Sequence, residues 1–213
     1  MADANTGGAP TVDAVDGSDA GGDAGSGFRA ISNPATGERI QFIAVDRDED
    51  VVRFNWRSLP GGAITEHVHP YQEERFTIVA GEAHFTLDGE DRVLRAGETL
   101  VVPVGVRHSE ANPGPVEIEG VVELRPALHT RQMHEAFAGL AAEGKTTPKG
   151  APTNPLQLGA TLWRFHRESR VTSPPIWLQN LILPPLSVLA KVFGVSAYRA
   201  GWDSRISVPR RAA

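Results

Sequence analysis

The sequence predicts a mainly β protein, an antiparallel barrel or sandwich followed by an α-helical extension. Apolar and polar residues alternate through residues 28–125, and the period becomes helical after residue 130. The 213-residue chain also contains 22 glycines and 16 prolines, a share above the average that indicates many turns. We therefore expect a small antiparallel β-barrel at residues 28–126 and a helical extension at residues 127–213.

Each predicted strand has one polar and one apolar face. The alternation is clearest at residues 52–57, 83–87 and 116–124, and Asp88-Gly89 supplies a tight hairpin turn after the second stretch. One-sided burial of this kind is typical of antiparallel sheets. No helical period of useful length interrupts this part of the chain.

Charge divides the chain into three parts. Residues 1–27 contain five aspartates and no lysine or arginine, and such a segment buries too little surface to offset its ordering entropy. We expect it to be a disordered acidic tail. Residues 28–144 carry 11 basic and 19 acidic residues, whereas residues 145–213 carry 10 basic and 2 acidic residues. The body and the extension can therefore attract each other, within one chain or between two chains.

The composition also excludes several classes of protein. Without cysteine, the chain cannot form disulfides, thiolate zinc sites, iron–sulfur clusters or cysteine nucleophiles. No run of basic residues extends beyond Arg210-Arg211, so we expect no nucleic-acid partner. The first residues lack the basic and apolar regions of a secretory signal, which favours a cytoplasmic location.

The extension is expected to contain four helices. Thr130 is placed to cap the first, and Asn154-Pro155 starts the second. Ser173-Pro174-Pro175 starts a third helix through Ile176–Leu183, Pro184-Pro185 ends it, and a fourth short helix follows. Because this part is too short and too apolar to fold alone, it should pack on the β body or on a second copy in a homodimer.

The apolar stretch 176–195 raises the question of a membrane. Pro184-Pro185 interrupts it, and neither half approaches the ~20 residues needed to span a bilayer. The sequence therefore predicts no transmembrane helix. An interfacial contact with a membrane surface stays open, because basic residues flank the stretch.

Two stretches with histidines carry the candidate chemistry. Residues 61–81 contain His67 and His69, which are two residues apart on a predicted strand, so both imidazoles project to the same face. Residues 97–112 contain His108 on a separate strand. Imidazole ligands with a carboxylate suit one divalent ion of Fe, Mn, Ni, Zn or Cu, and the sequence does not choose among them.

Strand parity decides which glutamate joins these histidines. If Glu74 points inward, Phe76 and Ile78 point inward too. If Glu73 pointed inward, Arg75 would enter the core, and burying an unpaired guanidinium is costly. We therefore expect Glu74 to be the ligand and Glu73 to face solvent.

These two stretches closely resemble the two motifs of the cupin family. The pattern G-x5-H-x-H-x3,4-E-x6-G fits residues 61–81, and G-x5-P-x-G-x2-H-x3-N fits residues 97–112 without departure. The resemblance covers roughly residues 35–125 and implies a small β-barrel, of jelly-roll type, that holds one divalent metal inside. Carried over by position, it implies three histidines and one glutamate as ligands: His67, His69, Glu74 and His108.

Two further residues are candidates for contact with a substrate. Glu110 shares strand parity with His108, so it faces the cavity as an acid/base or substrate contact, or else lies at the rim. Tyr71 lies in the turn between the ligands and is the second candidate.

The resemblance leaves two classes of function open. The first is a metal-dependent enzyme that acts on a small oxygen-rich organic molecule, with quercetinase-like dioxygenase chemistry or an isomerisation, in which Glu74 holds the metal and also takes a substrate proton. The second is a non-catalytic cupin that binds or senses a small molecule or a metal. No helix-turn-helix pattern is evident beside the barrel, which disfavours a DNA-binding regulator. The enzyme is the preferred expectation, although a fold alone does not fix chemistry.

Overall fold

The computed structural model describes residues 27–46 and 50–205, so the predicted acidic tail lies outside the described residues except for Gly27. The helices are α1 (Thr130–Ala142), α2 (Pro155–Arg164) and α3 (Ile176–Val192), with a 3₁₀ turn at Ala200–Trp202. The strands are β1 (Ile31–Asn33), β2 (Glu38–Asp46), β3 (Val51–Ser58), β4 (Ala63–Val68), β5 (Glu73–Ala80), β6 (Glu82–Leu87), β7 (Glu90–Arg95), β8 (Thr99–Val102), β9 (His108–Ala111), β10 (Ile118–Arg125) and β11 (Arg170–Val171).

The strands form two antiparallel sheets whose inner faces share one core. One sheet has the order β1-β2-β3-β10-β5-β8 and the other has the order β11-β4-β9-β6-β7. The ring of Phe76 in the first sheet lies 4.8 Å from the ring of Phe85 in the second. This is the mainly β, jelly-roll architecture that the sequence predicts, and β11 joins it from the extension.

The burial of β5 follows the parity on which the choice of glutamate depended. Glu74, Phe76 and Ile78 are buried, whereas Glu73 and Arg75 are exposed. The strand ends at Ala80, and Gly81 follows with a φ of +84° that suits glycine; an added Cβ would lie 3.0 Å from the carbonyl oxygen of Glu117. The turn into β6 therefore requires the glycine that the motif places there.

The first helix packs against the barrel, but Thr130 does not cap it. His129 occupies the cap position and makes no side-chain cap hydrogen bond. Thr130 is buried instead, and its hydroxyl oxygen accepts a hydrogen bond of 2.7 Å from Nε2 of Gln72. His134 of the same helix places its ring 5.1 Å from that of Phe54. The cap prediction was wrong because the hydroxyl satisfies a buried partner on the barrel.

The prediction of separate third and fourth helices was also wrong. A single helix, α3, runs from Ile176 to Val192 with Pro184 and Pro185 inside it. Proline removes a hydrogen bond within a helix, but Leu183, Ser187 and Ala190 are buried on both sides of the prolines, so packing holds one continuous helix. The second helix begins as expected, since Asn154 accepts hydrogen bonds from two backbone N–H groups.

No helix in the part of the chain that the structure describes has both the length and the apolar character needed to cross a membrane.

The packing of α2 on α3 depends on a glycine. A Cβ added at Gly159 would lie 2.5 Å from Cγ of Leu186, so Gly159→Ala should force the helices apart and cost about 1–3 kcal/mol. The better helix propensity of alanine, about 1 kcal/mol, opposes part of that loss. The matched control is Gly201→Ala, because no atom lies within 4 Å of a Cβ added there. Chemical denaturation should show a lower midpoint for the first variant only, and equal midpoints would contradict the close packing.

Candidate metal centre

Four side chains from three strands and one turn converge inside the barrel. The candidate ligand atoms of His67, His69, Glu74 and His108 all lie within 4.8 Å of one another. His67 of β4 is the register partner of His108 on β9, His69 follows β4 directly, and Glu74 lies near the start of β5. The structure thus brings together all four residues that the two motifs imply.

Backbone carbonyls orient all three imidazoles. Their Nδ1 atoms lie 3.0 Å from the oxygen of Thr65 for His67, 2.5 Å from that of Glu168 for His69, and 3.1 Å from that of Val106 for His108. A carbonyl oxygen only accepts hydrogen bonds, so Nδ1 carries the proton in each ring. The Nε2 atoms are then the nitrogens available to bind a metal, which is the usual arrangement around metal-ligating histidines.

One of these nitrogens is left without a hydrogen-bond partner. Nε2 of His69 is buried and makes no hydrogen bond, although it lies 3.1 Å from Oε2 of Glu74. Nε2 of His108 lies 3.0 Å from the same oxygen. A buried polar atom without a partner is costly, and a divalent cation bound by these nitrogens and Glu74 would supply the missing interaction. The residues therefore fit a metal of the imidazole- and carboxylate-binding type.

The pKa values of the group describe a site that favours a cation. Burial lowers the pKa of His67 to about 3, so this imidazole is neutral. Burial alone would raise the pKa of Glu74, but His69 and His108 hold it well below its usual range, so the carboxylate is ionised. Against the effect of burial, that carboxylate raises the pKa of His69. A divalent cation can take the place of the proton that Glu74 attracts to His69.

Two more carboxyl groups lie inside the same barrel. Glu110 of β9 is buried, and its Oε1 has no hydrogen-bond partner. Burial raises its pKa well above the usual range, and the charges of Glu38 and Glu74 raise it further. Glu38 of β2 accepts hydrogen bonds from the hydroxyl of Thr36 at 2.9 Å and from the indole of Trp56 at 3.2 Å, and burial raises its pKa to about 7.

The sequence analysis named Glu110 but missed Glu38. Glu38 precedes both histidine motifs, so no pattern marked it. The available signal was strand parity, because Glu38 shares a face with Ile40 and Phe42, which are both buried.

Tyr71 lies apart from the four converging side chains. It is 54% exposed, and the guanidinium carbon of Arg167 lies 5.0 Å from the centre of its ring. The contact joins the turn after His69 to the extension. A substrate contact by Tyr71 stays a prediction, while the observed contact is with the protein's own helical part.

The extension reaches the centre through β11. Arg170 and Val171 of that strand pair with Val68 and His67 of β4, and the carbonyl that accepts from His69 belongs to Glu168, just before β11. The Glu168 carboxylate is buried and accepts a hydrogen bond of 3.0 Å from the backbone N–H of His129. The extension therefore completes the surroundings of the ligands.

Glu74→Gln should remove metal binding, because an amide is neutral and binds transition metals weakly compared with a carboxylate. Metal content measured by elemental analysis should fall to a small fraction of the wild-type value. Glu73→Gln is the matched control, since the Glu73 side chain is exposed although it is next to Glu74 in sequence, and this variant should retain the metal. Loss of metal in the Glu73 variant alone would reverse the assignment of the two glutamates.

Comparison with known proteins agrees with the resemblance that the two histidine motifs carry. A family model described as Cupin domain matches residues 54–123. Protein SchB of Streptomyces halstedii is 39% identical over 103 residues, which are 48% of this chain and 67% of that protein. Polyketide synthase CurC of Streptomyces cyaneus is 43% identical over 67 residues, which are 32% of this chain and 44% of that protein.

A further curated relative and a solved structure are also similar to this chain. A mannose-1-phosphate guanylyltransferase from Salmonella montevideo is 41% identical over 70 residues, which are 33% of this chain and 15% of that protein. This chain thus spans less than half the length of the guanylyltransferase and of CurC. Among solved structures, an RmlC-like cupin from Shewanella frigidimarina superposes with a TM-score of 0.43 at 21% identity, covering 48% of this chain and 87% of that chain.

Proposed function

Because the chain belongs to the cupin superfamily, we propose that it is a metal-dependent enzyme acting on a small oxygen-rich organic molecule, with dioxygenase-type chemistry. One observation carries this proposal. Three imidazoles, fixed at Nδ1 by backbone carbonyls, direct Nε2 toward one buried carboxylate, and Nε2 of His69 has no hydrogen-bond partner. Such a set of side chains suits one divalent ion of Fe, Mn, Ni, Zn or Cu.

The four converging side chains would bind the metal, and one of them could also take up a proton. A divalent metal bound here would polarise an oxygen-rich ligand and stabilise the negative charge that develops on it. His67, His69, His108 and Glu74 would hold that ion. Proton uptake by Glu74 requires its carboxylate to leave the imidazoles that lower its pKa.

Glu110 is the second polar group that a substrate would meet. Its carboxyl is buried inside the barrel, and Oε1 makes no hydrogen bond. We propose that it hydrogen-bonds an oxygen or hydroxyl of the substrate, because the free Oε1 gives a ligand a partner that the protein does not provide. Glu110 is then an orienting contact beside the metal ligands.

A non-catalytic role is the second candidate, and the link between site and extension favours it. The carbonyl of Glu168 holds His69 at 2.5 Å, and β11 pairs with the strand that carries His67. Binding of a metal or small molecule at these ligands would therefore affect the position of the helices. A cupin that binds or senses a small molecule or metal would use such a connection.

Oxygen uptake with defined metals tests the proposal. The protein is purified without oxygen, its metals are measured, and samples loaded with Fe, Mn, Ni, Zn or Cu are given enols, β-diketones and flavonols. The name of the relative CurC, a polyketide synthase, makes polyketide-like enols and β-diketones the first compounds to screen. We expect oxygen consumption with at least one metal and none in His108→Ala. Ligand binding without turnover for every metal would favour the non-catalytic alternative.

A further inference from the structure

The outward face of α3 is apolar along its whole length. Trp177 is 68% exposed, Val188 61% and Val192 75%. The other exposed apolar side chains of this face are Ile176, Leu181, Ile182, Leu189 and, at the end of the helix, Phe193. Monomeric proteins rarely leave a continuous patch of this kind in water. We define these eight residues as the α3 outer face.

The helix is held in this orientation by its polar residues. Gln179 and Ser187 are buried, and Nε2 of Gln179 donates to the carbonyls of Val171 at 2.8 Å and Pro174 at 2.6 Å. Asn180 accepts a hydrogen bond of 2.8 Å from Arg170. These hydrogen bonds join the polar residues of α3 to the rest of the protein, while the apolar residues of the α3 outer face are exposed. In a usual amphipathic helix the apolar face packs on the protein and the polar face meets solvent. The helix cannot turn its apolar face inward without breaking these hydrogen bonds.

The two packed helices α2 and α3 carry basic residues beside the α3 outer face and no acidic ones. Arg164 and Lys191 line a groove of about 600 Å³ between these helices, together with Trp163. The two acidic residues at 145–205 are engaged elsewhere, since Glu168 is buried and Asp203 pairs with Arg131 and Arg205.

We propose that the α3 outer face docks on the surface of a membrane that contains anionic phospholipid. The apolar side chains would enter the boundary between headgroups and acyl chains, and the groove with Arg164 and Lys191 would receive a lipid phosphate. Charge decides between this surface and a second copy of the chain. Two copies meeting through this face would bring Lys191 and Arg164 of one copy toward those of the other, whereas an anionic surface complements these charges.

Co-sedimentation of the 213-residue chain with vesicles of phosphatidylcholine, with and without phosphatidylglycerol, tests the proposal. We expect binding to the anionic vesicles that weakens with added salt. Lys191→Glu should weaken it by roughly 30-fold, since each unit of charge contributes about 1 kcal/mol, or roughly fivefold, at such a surface and the substitution changes the charge by two units. Val188→Asp should weaken it by about fivefold or more, because it adds one negative charge and removes an apolar side chain from the face. The emission of Trp177 should shift to the blue on binding, and Trp177→Phe should remove that shift.

The matched control is Val116→Asp, because Val116 is 59% exposed but lies on the barrel. It should bind vesicles as the wild type does. Equal binding by Val188→Asp and Val116→Asp would overturn the proposal, as would a failure of the wild type to bind anionic vesicles. A dimer in light scattering that Val188→Asp converts to a monomer, without vesicle binding, would assign the face to a second copy instead.

Discussion

His108→Ala is expected to abolish the stabilisation of this protein by metal. The imidazole is 1% exposed, and its Nε2 lies 3.0 Å from Glu74, so its loss removes one of four converging ligands. A metal present at a hundred times its dissociation constant stabilises the folded state by about 2.7 kcal/mol. For a chain of this size that corresponds to about 5–10 °C in Tm. Thermal unfolding with and without metal should show this rise for the wild type and almost none for the variant.

His84→Ala is the control for this experiment. His84 is a half-exposed residue of β6 whose Nε2 lies 3.1 Å from Glu82 at the surface. It does not belong to the group of four converging ligands. It should keep the full response to metal. If a saturating chelator leaves the melting curve of the wild type unchanged, the four side chains do not hold a metal in the protein as purified.

Truncation after Pro126 is expected to leave a barrel that aggregates or unfolds. The truncation removes α1, whose His134 ring packs on Phe54 and Phe42, so each phenylalanine loses part of the roughly 1.5–3 kcal/mol that its burial contributes. It also removes the carbonyl of Glu168 that accepts from His69 and the hydroxyl that accepts from Gln72. Each buried partner lost costs a further 1–3 kcal/mol, roughly. The sum is a large fraction of the stability of a typical domain, about 5–15 kcal/mol.

A chain that ends at Arg205 serves as the control, because it keeps every contact between barrel and extension described above. It should match the full chain in solubility and Tm. The comparison is made by size-exclusion chromatography and thermal unfolding of the two truncated chains. A barrel ending at Pro126 that remains monomeric and as stable as the full chain would show that the extension is an independent appendage.

Local patterns were sufficient where a side chain's position follows from its neighbours in sequence. The alternation of β5 places Glu74 inside and Glu73 outside, since Arg75 cannot be buried without a partner. The spacing of His67 and His69 puts both imidazoles on one face, and their rings lie 5.0 Å apart. These residues were found because a strand has a period of two and the core excludes charge.

Local patterns failed in the helices for a definite reason. Pro184-Pro185 predicted a break, yet Leu183 and Ser187 are buried on the two sides of that pair within one helix. Proline lowers the stability of a helix, but packing against another helix opposes that loss. The partner in this case is α2, where Gly159 allows Leu186 to approach, and no rule of local sequence contains that contact.

The sequence by itself determined the β-barrel, the order of its two histidine motifs and the four side chains that converge in it. Only the tertiary structure decided what surrounds them. The acceptor for His69 belongs to Glu168, 99 residues along the chain, and Glu38 enters the barrel from a strand outside both motifs. Strand period and ligand spacing act over a few residues, whereas these contacts form only when distant segments pack. For the same reason the outward direction of the apolar face of α3 follows from the bonds of Gln179 to Val171 and Pro174, and not from its apolar composition.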